Sequence, residues 1–212
     1  MLNEKLQDYI DSLIEPRNKL LAEMEEFAHI HGVPIMEAAG IETMLQFLRI
    51  QQPEAILEVG TAIGYSALRM AYALPQTRII TIERDEERFT LASSYINKAE
   101  KEQQIIQLKG DALLLEQEVS KYAPFDAIFI DAAKGQYRRF FEIYSQNLKS
   151  GGIIITDNVL FKGLVYEQEI ENKRVRNLVK KIDEFNRWLS CHKEYDTVIL
   201  PIGDGVAVSK KR

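Results

Sequence analysis

Short apolar runs alternate with amphipathic segments along most of the chain beyond residue 50. Near-continuous apolar runs bounded by polar residues predict strands that are buried on both faces. We expect such strands at 55–59, 78–83, 105–109, 126–131 and 153–156, the last entered through a turn at Gly151-Gly152. Helical spacing of apolar residues predicts helices over 65–74, 85–98, 112–122, 136–148 and 173–190. This alternation predicts a parallel sheet covered by helices on both faces.

The two ends of the chain depart from this alternation. Amphipathic helices are predicted before the first strand, over 6–14, 20–28 and 38–50, the last stopping before Pro53. After the final helix, runs at 195–202 and 205–211 flank a turn-prone Gly-Asp-Gly and should pair as a hairpin. The predicted fold is therefore α/β, with a mostly parallel seven-stranded sheet that ends in an antiparallel hairpin. We expect one domain over 1–212, with an N-terminal helical cap (1–51) and an α/β core (52–212).

Composition and charge narrow the class of protein. Hydrophobic residues make up 46% of the chain, and no apolar stretch approaches the roughly 20 residues that span a bilayer. The N-terminal segment lacks the pattern of a signal peptide, and the single cysteine, Cys191, suits a reducing compartment, so we expect a cytoplasmic protein.

A net charge of −5 argues against wholesale coating of nucleic acid, although one segment is basic. That segment could contact nucleic acid or, more simply, form a solvated helix face. Its basic residues are Lys173, Arg174, Arg176, Lys180, Lys181 and Arg187.

A glycine loop follows the first predicted strand. Glu58, Gly60 and Gly64 form a Glu-x-Gly-x-x-x-Gly pattern, in which glycines allow close ligand approach and the helix N-terminus favours anionic groups. The spacing differs from the Gly-x-Gly-x-x-Gly of dinucleotide-binding folds, and a tight turn alone would also explain it. Glu83 ends the second strand, where a carboxylate can hold ribose hydroxyls, and Asp111 follows the third, where it could meet an adenine. The ordered series favours a nucleotide-type cofactor at this edge of the sheet.

Oxygen-bearing side chains end the next two predicted strands. Asp131 ends the fourth strand, and Asp157 and Asn158 follow the fifth, so all should converge beside the cofactor. Oxygen ligands without His or Cys suit a hard cation such as Mg²⁺, although the aspartates could merely cap helices. Lys134 is either a general base or electrostatic helper, or a surface lysine.

The motifs "EVGTAIGYSALRMA", "IDAAKGQY" and "TDNVLFKG" resemble those of class I S-adenosylmethionine-dependent O-methyltransferases that use a divalent cation, the catechol and caffeoyl-CoA group. The segments "VPIMEAAG" and "PIGDGVAVSKK" add a closer likeness to bacterial enzymes that convert tRNA 5-hydroxyuridine to 5-methoxyuridine at the wobble position. One difference concerns Ala133, because caffeoyl-CoA enzymes commonly read Asp-Ala-Asp-Lys there.

The resemblance implies a Rossmann-like class I methyltransferase fold, S-adenosyl-L-methionine as cofactor, and bound Mg²⁺ or another divalent cation. It implies a homodimer and, through the closer likeness, the anticodon loop of tRNA as substrate. The implied metal ligands are Asp131, Asp157 and Asn158, and the implied catalytic residues are Asp131 and Lys134. The implied cofactor-binding residues are Met36, Glu58, Gly60, Gly64, Ser66, Glu83, Asp111, Ala112 and Asp131.

The implied reaction is in-line transfer of a methyl group from a sulfonium to a metal-held hydroxyl oxygen. Catechol and 5-hydroxyuracil both offer two adjacent oxygens, so the metal site does not choose between a small molecule and tRNA. The run Val159-Leu160-Phe161 would form a wall of the substrate pocket. Two other interpretations stay open: a nicotinamide oxidoreductase, because Glu83 could hold that cofactor's ribose, and a cofactor-binding protein without catalysis.

Overall fold

The computed structural model describes residues 4–167 and 169–212, which contain a single seven-stranded sheet. The strands are β1 (Ala55–Val59), β2 (Arg78–Glu83), β3 (Ile105–Lys109), β4 (Phe125–Ile130), β5 (Leu148–Thr156), β6 (Tyr195–Leu200) and β7 (Val206–Lys211). Their order is β3-β2-β1-β4-β5-β7-β6, with β1 to β5 parallel and β7 antiparallel to both its neighbours. The predicted α/β fold, with its terminal antiparallel hairpin, is confirmed.

Helices cover both faces of the sheet. They are α1 (Glu4–Ser12), α2 (Lys19–His31), α3 (Ala38–Gln51), α4 (Tyr65–Ala73), α5 (Glu86–Lys98), α6 (Glu116–Ser120), α7 (Tyr137–Tyr144) and α8 (Lys173–Ser190). Alternating residues of the central strand β1 face opposite layers, so Ile56 joins the core beneath α2, α3 and α4, and Leu57 joins the core beneath α7 and α8. Glu58, next in the strand, therefore points towards α4.

A polar cluster attaches the N-terminal helices to α4. The buried Arg69 guanidinium donates to the Tyr65 hydroxyl at 2.9 Å and forms an ion pair with Glu42 of α3. The Tyr65 hydroxyl donates in turn to Glu25 of α2, which also accepts from Arg17 at 3.0 Å. Each buried polar group thereby has a partner, and the N-terminal helices are fixed to the helix that follows the glycine loop.

Two predicted helices are shorter than expected. The carboxylate of Asp111 accepts the backbone N–H of Leu113 at 2.9 Å, and this turn delays the start of α6 to Glu116. Short 3₁₀ turns on both sides confine α7 to Tyr137–Tyr144. The predicted spans 112–122 and 136–148 are therefore wrong at their ends.

The predicted turn at Gly151-Gly152 is also wrong, because both glycines lie inside β5. Leu148 already pairs with Phe125, and the register of the two strands shifts before Ala127 pairs with Ile153. The glycines therefore belong to a local irregularity in the strand. No helix in the described part of the chain is long and apolar enough to cross a bilayer.

Candidate functional site

Backbone hydrogen bonds extend the parallel ladder one residue beyond four strand ends. The N–H of Gly60 donates to Ile82 at 3.1 Å, and the N–H of Gly110 donates to Glu83 at 2.9 Å. Likewise, Asp131 donates to the Val59 carbonyl at 3.0 Å and Asp157 to the Ile130 carbonyl at 3.1 Å. The loops after β1, β3, β4 and β5 are thus held side by side at the carboxyl edge of the sheet, where open α/β sheets bind ligands.

A cavity of about 900 Å³ opens at this edge, and we call it the sheet-edge cavity. It is bounded by the strand-end loops, by the segment 34–37 before α3, and by the loop between β6 and β7. Most of the predicted site residues line it: Met36, Gly60, Glu83, Asp111, Ala112, Asp131, Lys134, Asp157 and Asn158. The structure therefore brings together residues that are separated by more than one hundred positions in the chain.

Gly60 occupies a position that no other residue can take without displacement of the backbone. Its φ is +107°, and a Cβ atom built on it would lie 2.1 Å from the carbonyl oxygen of Asp131. The loops after β1 and β4 consequently approach each other closely, and a ligand can lie against bare backbone at this point.

Three predicted cofactor ligands, Glu58, Gly64 and Ser66, stand outside the wall of the cavity. Glu58 is 0% exposed, and its two oxygens accept from the hydroxyls of Ser66 and Thr81, each at 2.5 Å. Burial raises the pKa of the Glu58 carboxyl to about 7, although these two hydrogen bonds oppose the shift. In this structure Glu58 and Ser66 bond to each other behind the glycine loop, and the role of Glu58, Gly64 and Ser66 in cofactor binding stays a prediction.

Glu83 does line the cavity, but its carboxylate is already held by backbone groups. One oxygen accepts from Ala62 N–H at 2.8 Å, and the other accepts from the N–H groups of Arg84 and Asp85, both at 2.9 Å. A carboxylate offers about four lone-pair positions, so acceptor capacity remains for a ligand hydroxyl. These bonds fix the orientation of the carboxylate towards the glycine loop.

The three predicted metal ligands meet in one cluster. The side-chain amide of Asn158 donates to Asp131 Oδ1 at 3.2 Å and to Asp157 Oδ2 at 2.8 Å. Burial raises the pKa of both carboxyls, and repulsion from Asp131 adds to the shift at Asp157. The two crowded carboxylates would be relieved by a cation, and they are oxygen donors of the type that Mg²⁺ prefers.

The cluster contains two carboxylates and one carboxamide. Within residues 4–167 and 169–212, no site gathers three or more His, Cys, Asp or Glu side chains for a metal. The amide of Asn158 presents its nitrogen to the carboxylates, so coordination through its oxygen requires rotation of the amide group. With that rotation, the three side chains fit a hard divalent cation whose remaining positions are filled by water or substrate.

Lys134 begins a 3₁₀ turn after β4 and lines the same cavity. Its positive charge opposes the rise in the pKa of Asp131 and Asp157. Lys134 is therefore within electrostatic reach of the carboxylate cluster.

The predicted substrate wall is correct only in part. Val159 is fully buried in the core beneath α7 and α8 and does not line the cavity, whereas Phe161 and the exposed Lys162 do. Leu160 packs on Gly205, where an added Cβ would lie 2.4 Å from its Cγ. The run 159–161 thus anchors the loop at its first two positions and reaches the cavity only at the third.

Several residues of the cavity were absent from the sequence prediction. They come from loops and from the first turns of helices, and include Glu37, Arg84, Arg88, Gln136, Phe140, Gly203 and Asp204. Burial and the nearby Asp204 raise the pKa of Glu37, and both acids line the cavity. The turn-prone Gly203-Asp204 is recognisable in the sequence, but it indicates a hairpin rather than a site.

The basic face of α8 is partly neutralised within the helix. Lys180 pairs with Glu184 at 3.8 Å and Arg187 with Asp183 at 2.8 Å. Both are solvent-facing ion pairs between residues four positions apart in the helix. These contacts favour the simpler interpretation of a solvated face for that half of the helix.

The sheet order, the inserted antiparallel strand and the glycine loop at the cavity define a Rossmann-like class I methyltransferase fold. Residues 12–212 match the sequence profile of a family described as O-methyltransferase, and the chain belongs to that family.

Relatives and solved structures agree with this assignment. A catechol O-methyltransferase of Niastella koreensis is 33% identical over 203 residues, covering 93% of this chain and 90% of the relative. A caffeoyl-CoA O-methyltransferase of Populus kitakamiensis is 30% identical over 225 residues, covering 99% and 94%. A Staphylococcus aureus protein, solved as a candidate caffeoyl-CoA O-methyltransferase, superposes with a TM-score of 0.90 at 36% identity, covering 99% and 98%. An O-methyltransferase from Bacillus cereus in complex with SAH superposes with a TM-score of 0.83 at 26% identity, and the match covers 98% of this chain and 97% of that structure.

Proposed function

We propose that the protein transfers a methyl group from S-adenosyl-L-methionine to one of two adjacent oxygens of a small catechol-type acceptor. The observation that carries this proposal is the cluster of Asp131, Asp157 and Asn158 beside the glycine loop in one cavity. Relatives named as catechol and caffeoyl-CoA O-methyltransferases support the same class of acceptor.

We assign the cofactor to the part of the cavity that lies beside the glycine loop and the ends of β2 and β3. S-adenosyl-L-methionine supplies the methyl group as a sulfonium. Gly60 admits the ligand against the backbone, Glu83 accepts from ribose hydroxyls, and Asp111 with Ala112 flanks the adenine. Met36, buried above the cavity, covers the cofactor from the N-terminal segment.

The acceptor side is assigned to the carboxylate cluster. When held by Asp131, Asp157 and Asn158, Mg²⁺ or another divalent cation supplies positive charge that favours the deprotonated acceptor hydroxyl. In the transfer, the acceptor oxygen forms a new C–O bond while the C–S bond of the sulfonium breaks. The hydroxyl proton passes to a base, for which Lys134 is our candidate because it lines the cavity beside the cluster.

The test is methylation of catechol by the purified protein with S-adenosyl-L-methionine and MgCl₂, followed by mass spectrometry of the product. We expect a monomethyl ether, no product after treatment with EDTA, and at least about a 100-fold loss of kcat/KM in Asp157→Ala. Asp196→Ala, which removes an exposed carboxylate at the edge of the sheet, is the matched control and should keep its activity. Full activity in Asp157→Ala would leave that aspartate a structural residue and refute the metal mechanism.

A second candidate acceptor is 5-hydroxyuridine at the wobble position of tRNA, which also offers two adjacent oxygens. Exposed basic residues at the mouth of the cavity favour it, since a phosphate backbone needs such contacts. Lys162, Arg84 and Arg88 all line the cavity, and in the described part of the chain Arg84 and Arg88 form no ion pair.

The two acceptors are separated by a direct competition. The same enzyme is offered catechol together with tRNA that carries 5-hydroxyuridine at the wobble position, and methyl transfer to each is measured. If tRNA is the substrate, Lys162→Ala should lower kcat/KM for tRNA about 10-fold or more and leave that for catechol unchanged. Lys193→Ala, an exposed lysine away from the cavity, is the control. Transfer to catechol without incorporation into tRNA would remove the tRNA proposal.

We also propose that the chain forms a homodimer. α1 and the turn that follows it expose Leu6, Tyr9 and Leu13 at 44%, 59% and 66%, which forms an apolar patch on the surface. Light scattering coupled to gel filtration should report twice the 24.4 kDa mass of the chain. A monomer at micromolar concentration would contradict this proposal.

A further inference from the structure

The loop that carries Asp157 and Asn158 has an uncommon backbone. Three of its non-glycine residues have left-handed conformations: Asn158 at φ 60°, Phe161 at φ 45° and Lys162 at φ 56°. Side chains other than glycine adopt this region at a cost, and such residues persist only where the surrounding structure holds them. The bonds that hold this loop therefore determine where the side chain of Asn158 points.

Two side-chain donors bracket Asn158 from neighbouring helices. The hydroxyl of Tyr137, fully buried at the start of α7, donates to the carbonyl oxygen of Asp157 at 2.9 Å. The amide of Asn186 in α8 donates to the carbonyl oxygen of Val159 at 2.7 Å. The peptide group between Asp157 and Asn158 and the one between Val159 and Leu160 are thus each held by one side chain.

The orientation of the Asn186 amide is fixed by its surroundings. Its oxygen is buried and has no hydrogen-bond partner within the described residues, whereas its nitrogen has Val159. Exchange of the two atoms would set the amide oxygen against a carbonyl oxygen, with no donor between them. The unpaired buried oxygen of Asn186 destabilises the folded state, whereas the bond from its nitrogen stabilises the loop.

The opposite side of the loop is held by backbone groups. The N–H of Val159 donates to the Gly205 carbonyl at 3.0 Å, and those of Leu160 and Phe161 donate to the Asp204 carbonyl at 2.9 and 3.1 Å. The loop is therefore fixed from both sides, by two side chains of α7 and α8 and by the turn between β6 and β7.

We infer that Tyr137 and Asn186 are positioning residues for the cation site, holding the backbone on either side of Asn158 so that its side chain lies beside the carboxylates of Asp131 and Asp157. Both side chains donate to backbone carbonyls rather than to the side chains of the cluster. This inference rests on the proposed function, because it assigns the two bonds to a cation site that the proposed reaction uses.

The experiment compares Tyr137→Phe and Asn186→Ala with Tyr144→Phe. Tyr144 is an equally buried tyrosine of α7, whose hydroxyl donates to the Ala112 carbonyl at 2.5 Å on the cofactor side. Its variant removes the same atom from the same helix without touching the loop. Mn²⁺ binding is measured by electron paramagnetic resonance without cofactor or acceptor, and amide hydrogen exchange is measured at residues 159–161.

We expect Tyr137→Phe and Asn186→Ala each to raise the Kd for Mn²⁺ about 10-fold or more, as loss of groups that orient metal ligands does. We expect faster exchange at 159–161 in both variants, with no change in either quantity in Tyr144→Phe. Tyr137→Phe and Tyr144→Phe each remove a single oxygen, so their melting temperatures should match. Weaker Mn²⁺ binding in Tyr137→Phe alone would then not be caused by a general loss of folding.

Two results would overturn the inference and leave the proposed function intact. Wild-type Mn²⁺ affinity in both Tyr137→Phe and Asn186→Ala would show that the bonds do not position the ligands, even if exchange increases. Equal weakening in Tyr144→Phe would show an unspecific effect of core tyrosines. Failure of the wild-type protein itself to bind Mn²⁺ would instead contradict the metal in the proposed function, and the positioning role with it.

Discussion

Replacing Glu58 by glutamine tests whether the carboxyl behind the glycine loop makes stability depend on pH. Glu58 is 0% exposed, and burial raises its pKa from an ordinary 4.5 to about 7. The hydrogen bonds from Ser66 and Thr81 oppose the shift, and the charges of Asp131 and Glu83 add to it. A carboxyl with a raised pKa binds its proton more tightly in the folded than in the unfolded state.

The sign and the size of the effect follow from this difference. The stabilising contribution is complete below the unfolded value of 4.5 and is lost as pH rises through the folded value of about 7. At ~1.4 kcal/mol for each pKa unit, the loss amounts to about 3 kcal/mol. Glutamine does not titrate, and its amide can still bond both hydroxyls, which are able to donate or accept.

The assay is urea unfolding of the wild type and Glu58→Gln between pH 4.5 and 8.5, without ligands. We expect the variant to gain about 3 kcal/mol of unfolding free energy relative to the wild type across this range. The buried Asp131 and Asp157 titrate in both proteins, so their contribution largely cancels in the difference. A difference between the two proteins that does not change with pH would refute the reasoning.

Two further variants test the glycine loop and the attachment of the N-terminal helices. Gly60→Ala places a Cβ 2.1 Å from the Asp131 carbonyl oxygen, and calorimetry should show no binding of S-adenosylhomocysteine. Gly32→Ala is the control, because an added Cβ there meets nothing within 4 Å. It should lower stability by only about 1 kcal/mol and keep cofactor binding. Binding by Gly60→Ala at wild-type affinity would contradict the close approach. Arg69→Met leaves the carboxylate of Glu42 without its buried partner and should lower the unfolding free energy by about 2 kcal/mol in urea titrations, less than for a fully buried pair because Glu42 is partly exposed. A loss below about 0.5 kcal/mol would show that the pair is replaced by solvent.

The fold was largely predictable because its strongest signals are local. Runs such as 55–59 and 126–131 are too apolar and too short for anything but buried strands, and their alternation with helices leaves few topologies. The helix boundaries were less accessible, since they depend on single side-chain contacts. The turn made by Asp111 with the backbone of Leu113 shortens α6, and the sequence alone does not show which backbone group an aspartate will bind.

The candidate site was predictable only where strand order brings it together. Asp131 and Asp157 follow adjacent parallel strands, so their proximity follows from topology. Whether a side chain faces the cavity or the space behind it depends on strand pleat and loop path, and this separates Glu58 from Glu83. Residues such as Glu37 come from loops without periodicity, and tertiary packing alone places them.

The position of β7 has a consequence for synthesis of the chain. β7 lies between β5 and β6 in the sheet but follows both in the chain, so a ribosome completes its two neighbours before it. Until β7 is made, β5 exposes an unpaired edge. Asp204 and Gly205, whose carbonyls bond the loop after β5, are synthesised directly before β7. The cation site should therefore form later in translation than the glycine loop, because its loop is closed from one side by the segment that leads into β7. A nascent chain stalled before residue 200 is accordingly expected to contain the glycine loop but not a finished acceptor site.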